Sequence, residues 1–132
     1  MRPIVITTHG NLASSLLATA EMIIGEASSA RAVDFEIGSS VEELQRRVST
    51  AVSEVAGTER VLFLVDLAGG SPSRVAATLA LEGKADVLTG ANLPMLIAAL
   101  SDDEADIADI TEAGRAGIDT YGVVARKSGG LL

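Results

Sequence analysis

Residues 4–10 read IVITTHG, an apolar run that stops at the only histidine of the chain, His9, and a glycine, Gly10. Immediately downstream, Leu12, Leu16, Leu17, Ala20, Ile23 and Ile24 recur at helical spacing, so a buried strand over 3–8 hands over at His9 to a helix over 11–24. Gly25 supplies the helix stop. In an open α/β sheet the ligand site lies outside the carboxyl ends of the strands. A helix that starts there points unpaired N–H groups and the positive end of its dipole at whatever binds. His9 therefore stands where an anion is welcome, although a lone histidine is more often a hydrogen-bonded structural residue than a catalyst.

The same junction recurs along the chain. Residues 60–66, RVLFLVD, carry five consecutive apolar residues, the mark of a central strand covered on both faces. This strand also ends on a polar residue, Asp66, and the loop after it, Leu67-Ala68-Gly69-Gly70, leads to Ser71 and Pro72. Ser71 as N-cap and Pro72 at the first helical position predict a helix to about Leu81. A fourth strand is expected over 84–89, followed by a helix capped near Asn92 or Leu93 with MLIAAL behind it. Between these units, 31–37 (RAVDFEI) alternates, with Asp34 and Glu36 on one face and Val33, Phe35 and Ile37 on the other, as an edge strand does. Ser40 and Glu43 form a capping box for the next helix, whose Arg46 and Arg47 read as a solvated face.

After Leu100, the acids Asp102, Asp103, Glu104, Asp106 and Asp109 alternate with Ile107 and Ile110. They read as the exposed face and first turns of a fifth helix running to about Ile118, where acids favour the N-terminal end. Residues 121–126, YGVVAR, form a last short strand or an extended arm, and 126–132 a frayed tail. With no linker and no repeat beyond the β-loop-α unit, residues 1–132 read as one domain.

Composition narrows the function. The core is aliphatic, since the chain has no Trp, one Tyr and two Phe. A net charge of −8 and the lack of aromatic platforms argue against nucleic acid as a partner. Without cysteine and with a single histidine, neither a disulfide framework nor a zinc site is expected, and no cofactor is called for. No run of 18 apolar residues occurs and the amino terminus lacks a signal-type apolar core, so a cytoplasmic protein is expected.

Alternating β and α elements imply a parallel sheet with right-handed crossovers. An edge-like second strand beside central first and third strands gives the flavodoxin-like order 2-1-3-4, with helices on both faces. The ends of strands one and three then form the switch-point crevice. His9 and Asp66 meet there, with Gly69, Gly70 and Ser71 beside them. A carboxylate that holds one ring nitrogen protonated makes the far nitrogen a nucleophile, suited to accept a phosphoryl group that the loop amides surround. Each residue also has a plainer reading: Asp66 as a loop cap, the glycines as turn formers, Ser71 as a helix cap.

The segments THG with NLASSLLATAEMIIG, LFLVDLAGGSPSRVAATL, LTGANLPMLIAAL and ITEAGRAGI resemble, in order and spacing, the enzyme IIA domain of the mannose family of the bacterial phosphoenolpyruvate-dependent sugar phosphotransferase system. The resemblance covers the chain up to about Ile118. It implies a IIA-type phosphotransfer domain in which His9 accepts phosphate from the phosphocarrier HPr and passes it to a separate IIB protein. Asp66 is then the orienting carboxylate, and Gly10, Gly69, Gly70 and Ser71 surround the phosphoryl group. The resemblance also implies a homodimer that exchanges a carboxy-terminal strand, here YGVVAR, and only indirect contact with the membrane components IIC and IID. Two residues depart from the family pattern after GGSP: Ser73 and Arg74 replace an aromatic residue and Asn. Ala98 stands where an acid is common.

Rival readings fare worse. A receiver domain shares the sheet order but needs clustered acids where Thr7, Thr8 and His9 stand. Neither GxGxxG nor a P-loop occurs. A subunit for dihydroxyacetone phosphorylation is a related relay, but GANLPM and the GGSP loop favour the sugar-transport branch. A IIA-like regulatory domain, whose histidine phosphorylation is a signal and not a transport step, keeps the same His9.

Overall fold

The five residues of the VLFLV run are all buried, as a strand covered on both faces requires. In the computed structural model, which describes residues 1–121, this strand, β3 (Val61–Val65), lies inside one parallel sheet. Its companions are β1 (Ile4–His9), β2 (Ala30–Phe35) and β4 (Ala85–Leu88), in the order β2-β1-β3-β4. β1 pairs with both β2 and β3, with Thr7 opposite Val33 on one side and Val65 on the other.

Alternation along the central strands divides the core in two. Ile4, Ile6, Leu62 and Leu64 pack with Ala13 and Ala20 of α1 (Leu12–Ile24), Leu96 of α4 (Leu93–Ser101) and Ile110 of α5 (Ile107–Ala116). Val5, Phe63 and Val65 face the other way, onto Leu44 and Val48 of α2 (Val41–Val55) and Val75 and Ala76 of α3 (Ser71–Leu81). The helices that follow β1 and β3 thus lie on opposite faces, and the chain opens between the carboxyl ends of these two strands.

Local signals set most boundaries. Ser40 Oγ accepts the Glu43 N–H and starts α2, while Asn92 Oδ1 accepts the Met95 N–H and starts α4. Gly25, at φ 92°, ends α1. Two expectations need correction. β2 stops at Phe35, and Ile37 is fully exposed in the turn after it, because Gly10 N–H takes the Phe35 carbonyl and closes the pairing there. Asp102, Asp103 and Glu104 belong to the turn before α5 and not to the helix. The helix begins only where Asp106 and Asp109 form a reciprocal capping box, and it ends at Ala116. Arg46 and Arg47 are exposed, as expected of a solvated face, and Arg47 also donates to the Asp34 carbonyl at 2.9 Å. The strand or arm expected over 121–126 lies almost wholly outside the described residues, as does the tail.

Candidate functional site

His9 is the last residue of β1 and Asp66 the first after β3. Because the two strands are neighbours in register, the side chains meet: Nδ1 of His9 lies 3.0 Å from Oδ2 of Asp66. The same oxygen accepts the His9 backbone N–H at 3.1 Å, and Oδ1 accepts the Leu67 N–H at 2.9 Å. A carboxylate only accepts, so this network assigns the ring proton to Nδ1 and leaves the Nε2 lone pair outward. Three bonds on one carboxylate fix its plane, and through it the plane of the ring. The imidazole side chain is 45% exposed and the carboxylate 17%, a half-buried support under an accessible base.

Two further residues frame the ring. Phe35, paired with His9 across β1 and β2, meets it edge-on with centroids 6.1 Å apart. On another side the ring lies against Gly70, where a Cβ would stand 2.5 Å from Cε1 and 3.0 Å from Nε2. Glycine at this position is a packing requirement. Its φ of −80° and ψ of 175° suit any residue, so backbone freedom does not explain it. Gly69, by contrast, has φ +85° with open space around it, and there the turn itself demands glycine.

Gly70, not Ser71, is the N-cap of α3. Ser71 is the first helical residue, Pro72 the second, and no side chain caps the helix. Ser73 does part of that work one turn later, its hydroxyl accepting the Gly69 N–H at 3.3 Å. The N–H groups of Gly70, Ser71 and Ser73 consequently have no acceptor among the described residues, which is the ordinary state of a helix start and a ready anion site. Gly10 is different. Its φ of +61° makes the turn into α1, and its N–H is committed to Phe35, so it shapes the loop and has no amide to offer an anion.

The residues expected at the site are therefore brought together with roles redistributed: His9 and Asp66 as a bonded pair, Gly70 against the ring, Ser71 at the helix start, Gly69 and Gly10 as turns. Sequence reasoning missed Phe35 and the Leu67 amide. Phe35 was legible only as a strand residue, and a backbone N–H carries no sequence signal. Thr8, fully buried one residue earlier, accepts the Ala13 N–H at 2.7 Å and caps α1 from the strand. Asp34 adds to that cap, accepting from Ser14 N–H at 3.0 Å and from its hydroxyl at 2.6 Å.

A sequence-family profile described as "PTS system fructose IIA component" matches residues 3–113. The chain is 37% identical over 122 residues to the mannose-specific EIIAB component of Escherichia coli (strain K12), covering 87% of this chain and 38% of that protein. It therefore spans well under half the length of that relative. It is 35% identical over 102 residues to the fructose-specific EIIA component of Bacillus subtilis (strain 168), covering 76% of this chain and 70% of the relative. Among solved structures, the PTS IIA protein associated with the fucose utilization operon of Streptococcus pneumoniae superposes with a TM-score of 0.84 at 29% identity, over 93% of this chain and 95% of that one. The mannose/sorbose-specific IIA subunit from Enterococcus faecalis gives 0.82 at 29% identity, over 92% and 96% of the two chains.

Proposed function

We propose, from the premise that this chain belongs to the mannose-type enzyme IIA family of the bacterial sugar phosphotransferase system, that His9 is its phosphoryl-carrying residue. IIA components of this system are phosphotransferases in general. The finer reading is a relay in which phospho-HPr is the donor and a IIB component the acceptor. The observation that carries it is the 3.0 Å bond from His9 Nδ1 to Asp66, which turns Nε2 outward beside the free amides at the start of α3.

In the transfer, the Nε2 lone pair attacks phosphorus as the bond from phosphorus to the donor nitrogen breaks. The electron pair leaves with that nitrogen. No proton has to move. His9 becomes an imidazolium bearing phosphate on Nε2 and a proton on Nδ1, and Asp66 offsets the positive charge that develops. The N–H groups of Gly70, Ser71 and Ser73 receive the phosphoryl oxygens. An exposed ring suits this chemistry, because the phosphoryl group arrives on another protein and not from a cavity. Transfer to IIB is the same step reversed in direction.

The relay works in the cytoplasm as a single phosphotransfer domain. No helix among the described residues is long and apolar enough to cross a membrane. The homodimer with an exchanged carboxy-terminal strand is part of the proposal. A groove of about 370 Å³ beside the edge strand β4, lined among others by Val87, Thr89, Thr111, Arg115 and Ile118, supports it as the place an added strand would lie.

The test is phosphotransfer from phosphoenolpyruvate through enzyme I and HPr, read by intact mass. The wild type gains one acid-labile phosphoryl group and His9→Ala gains none. A wild type that stays unmodified while HPr is phosphorylated refutes the relay.

A further inference from the structure

We propose that Arg74 is a second phosphoryl-binding group of this site, a guanidinium that closes on the phosphoryl oxygens when His9 is loaded. The inference rests on the relay reading of His9 and adds to it a residue that departs from the family pattern.

The chain places Arg74 one helical turn from the site. The Cβ direction of Gly70 runs straight at the His9 ring. Arg74 stands one helical turn further on, its N–H bonded to the Gly70 carbonyl at 3.0 Å. Gly70 is extended at the N-cap, so its Cβ direction is not that of a helical residue, and Arg74 stands on the solvent side of α3, opposite the buried Pro72, Val75 and Ala76. Helical side chains lean toward the N-terminus, so the Arg74 side chain leans back toward the turn that holds the free amides. One turn is about 5.4 Å, a distance an extended arginine spans.

Its surroundings give Arg74 no other employment. Arg2, Arg31, Arg46, Arg47, Arg60 and Lys84 each hold an acid or a carbonyl. Arg74 is exposed and, like Arg115 at the end of α5, has no such partner among the described residues, although acids outnumber bases 18 to 10. It also sits near the start of α3, where the helix dipole disfavours a cation. A cation that stabilises nothing in the unloaded protein, beside amides that await an anion, is accounted for by the anion itself. Guanidinium presents paired donors that match two phosphoryl oxygens. Throughout the transfer Arg74 keeps its protons; only the bonds at phosphorus change.

The experiment compares wild type, Arg74→Ala and Arg74→Lys with two phosphoryl donors, phospho-HPr and the small molecule phosphoramidate. The predicted result is a drop in kcat/KM of roughly 100-fold for Arg74→Ala with both donors, the scale of losing one oriented charge-stabilising donor. Arg74→Lys recovers part of it, since charge returns without the fork. A loss confined to phospho-HPr overturns the inference, because Arg74 then touches the donor protein and not the phosphoryl group. Equal rates for wild type and Arg74→Ala with both donors overturn it as well, while leaving the His9 relay standing. A wild type that accepts phosphate from neither donor removes the relay and this inference together.

Discussion

Replacing Gly70 with alanine loads one methyl group onto the contact that shapes the site. That Cβ would stand 2.5 Å from Cε1 of His9, 3.0 Å from Nε2 and 3.8 Å from Nδ1. Non-bonded carbons settle at about 3.5–4.0 Å, so the ring must retreat by about 1 Å or rotate. The bond to Asp66 at 3.0 Å resists either motion. Because the ring is 45% exposed, it relieves the clash by swinging toward solvent, and the bond to Asp66 is what it gives up. A reacting group misplaced by about 1 Å costs on the order of 100-fold in rate. The backbone of Gly70 already suits alanine, which gains about 0.4–1 kcal/mol by restricting the unfolded chain. The lost charge-assisted bond costs about 1.5–3 kcal/mol, so the fold weakens by only about 1–2 kcal/mol. Initial rates of phosphoryl gain from phospho-HPr, followed by intact mass, read the first effect, and thermal unfolding reads the second. Gly83→Ala is the control: Gly83 has φ +78° and open space around it, in the turn between α3 and β4 at the far end of the sheet. Alanine there costs about 1–2 kcal/mol of left-handed strain and leaves transfer intact. Gly70→Ala transferring at the wild-type rate would refute the packing argument.

Asp66→Asn keeps the shape but places an amide where only an acceptor belongs; the comparable exchange in serine proteases costs about 10⁴-fold through the wrong tautomer. A loss of about 100-fold or more in the initial rate of phosphoryl gain is expected, with the His9 ring tautomer changed in ¹⁵N NMR. Asp106→Ala removes one half of the α5 capping box and is expected to cost about 1 kcal/mol, a fall of about 3–5 °C in Tm, with transfer unchanged because α5 is remote from His9. The Asp86 carboxyl is held below its ordinary value, first by the hydrogen bond from Arg60 and opposed by partial burial. A depressed carboxyl stabilises the fold above its unfolded value and loses that contribution as pH falls through the folded one. Asp86→Asn is therefore slightly less stable than wild type at neutral pH, and the two Tm curves converge in acid below the ordinary value of 3.8.

What the sequence disclosed follows the strength of each local signal. Five apolar residues in a row allow one environment, and Val61–Val65 is buried throughout. Asn92 and Ser40 act as caps because their side-chain oxygens reach amides three residues away, a contact encoded locally. Ile37 misled because alternation continues past the point where Gly10 closes the pairing with Phe35, and that closure is tertiary. Ser71 misled because a serine before a proline resembles an N-cap, while the extended residue is Gly70. The convergence of His9 and Asp66 was legible from sheet order alone. The reason for Gly70 was not: it lies in a ring that arrives from a strand sixty residues earlier in the chain.

Under the proposed relay, a protein with net charge −8 receives an anionic group and must keep its own acids away from the landing point. The fold separates them along the sheet. Arg2, just before β1, donates to the Asp102 and Ala105 carbonyls and through its backbone N–H to Asp103, so the acidic turn before α5 lies at the amino end of the strands. From there to His9 the chain climbs seven residues at about 3.3 Å each, or about 23 Å, against a screening length of about 8 Å at physiological salt. Those acids are electrically remote from Nε2. At the carboxyl end, Asp34 is occupied by Ser14 and Asp66 by the imidazole and two amides, which leaves a rim that carries the exposed Glu36 and, in the first turn of α2, Glu42 and Glu43. Against it stand three free amides at the positive end of α3, fixed in place and needing no counter-ion. The same separation is compatible with an exposed histidine: solvent screens the distant charges, while the amides at the start of α3 would act on a phosphoryl group at hydrogen-bond range.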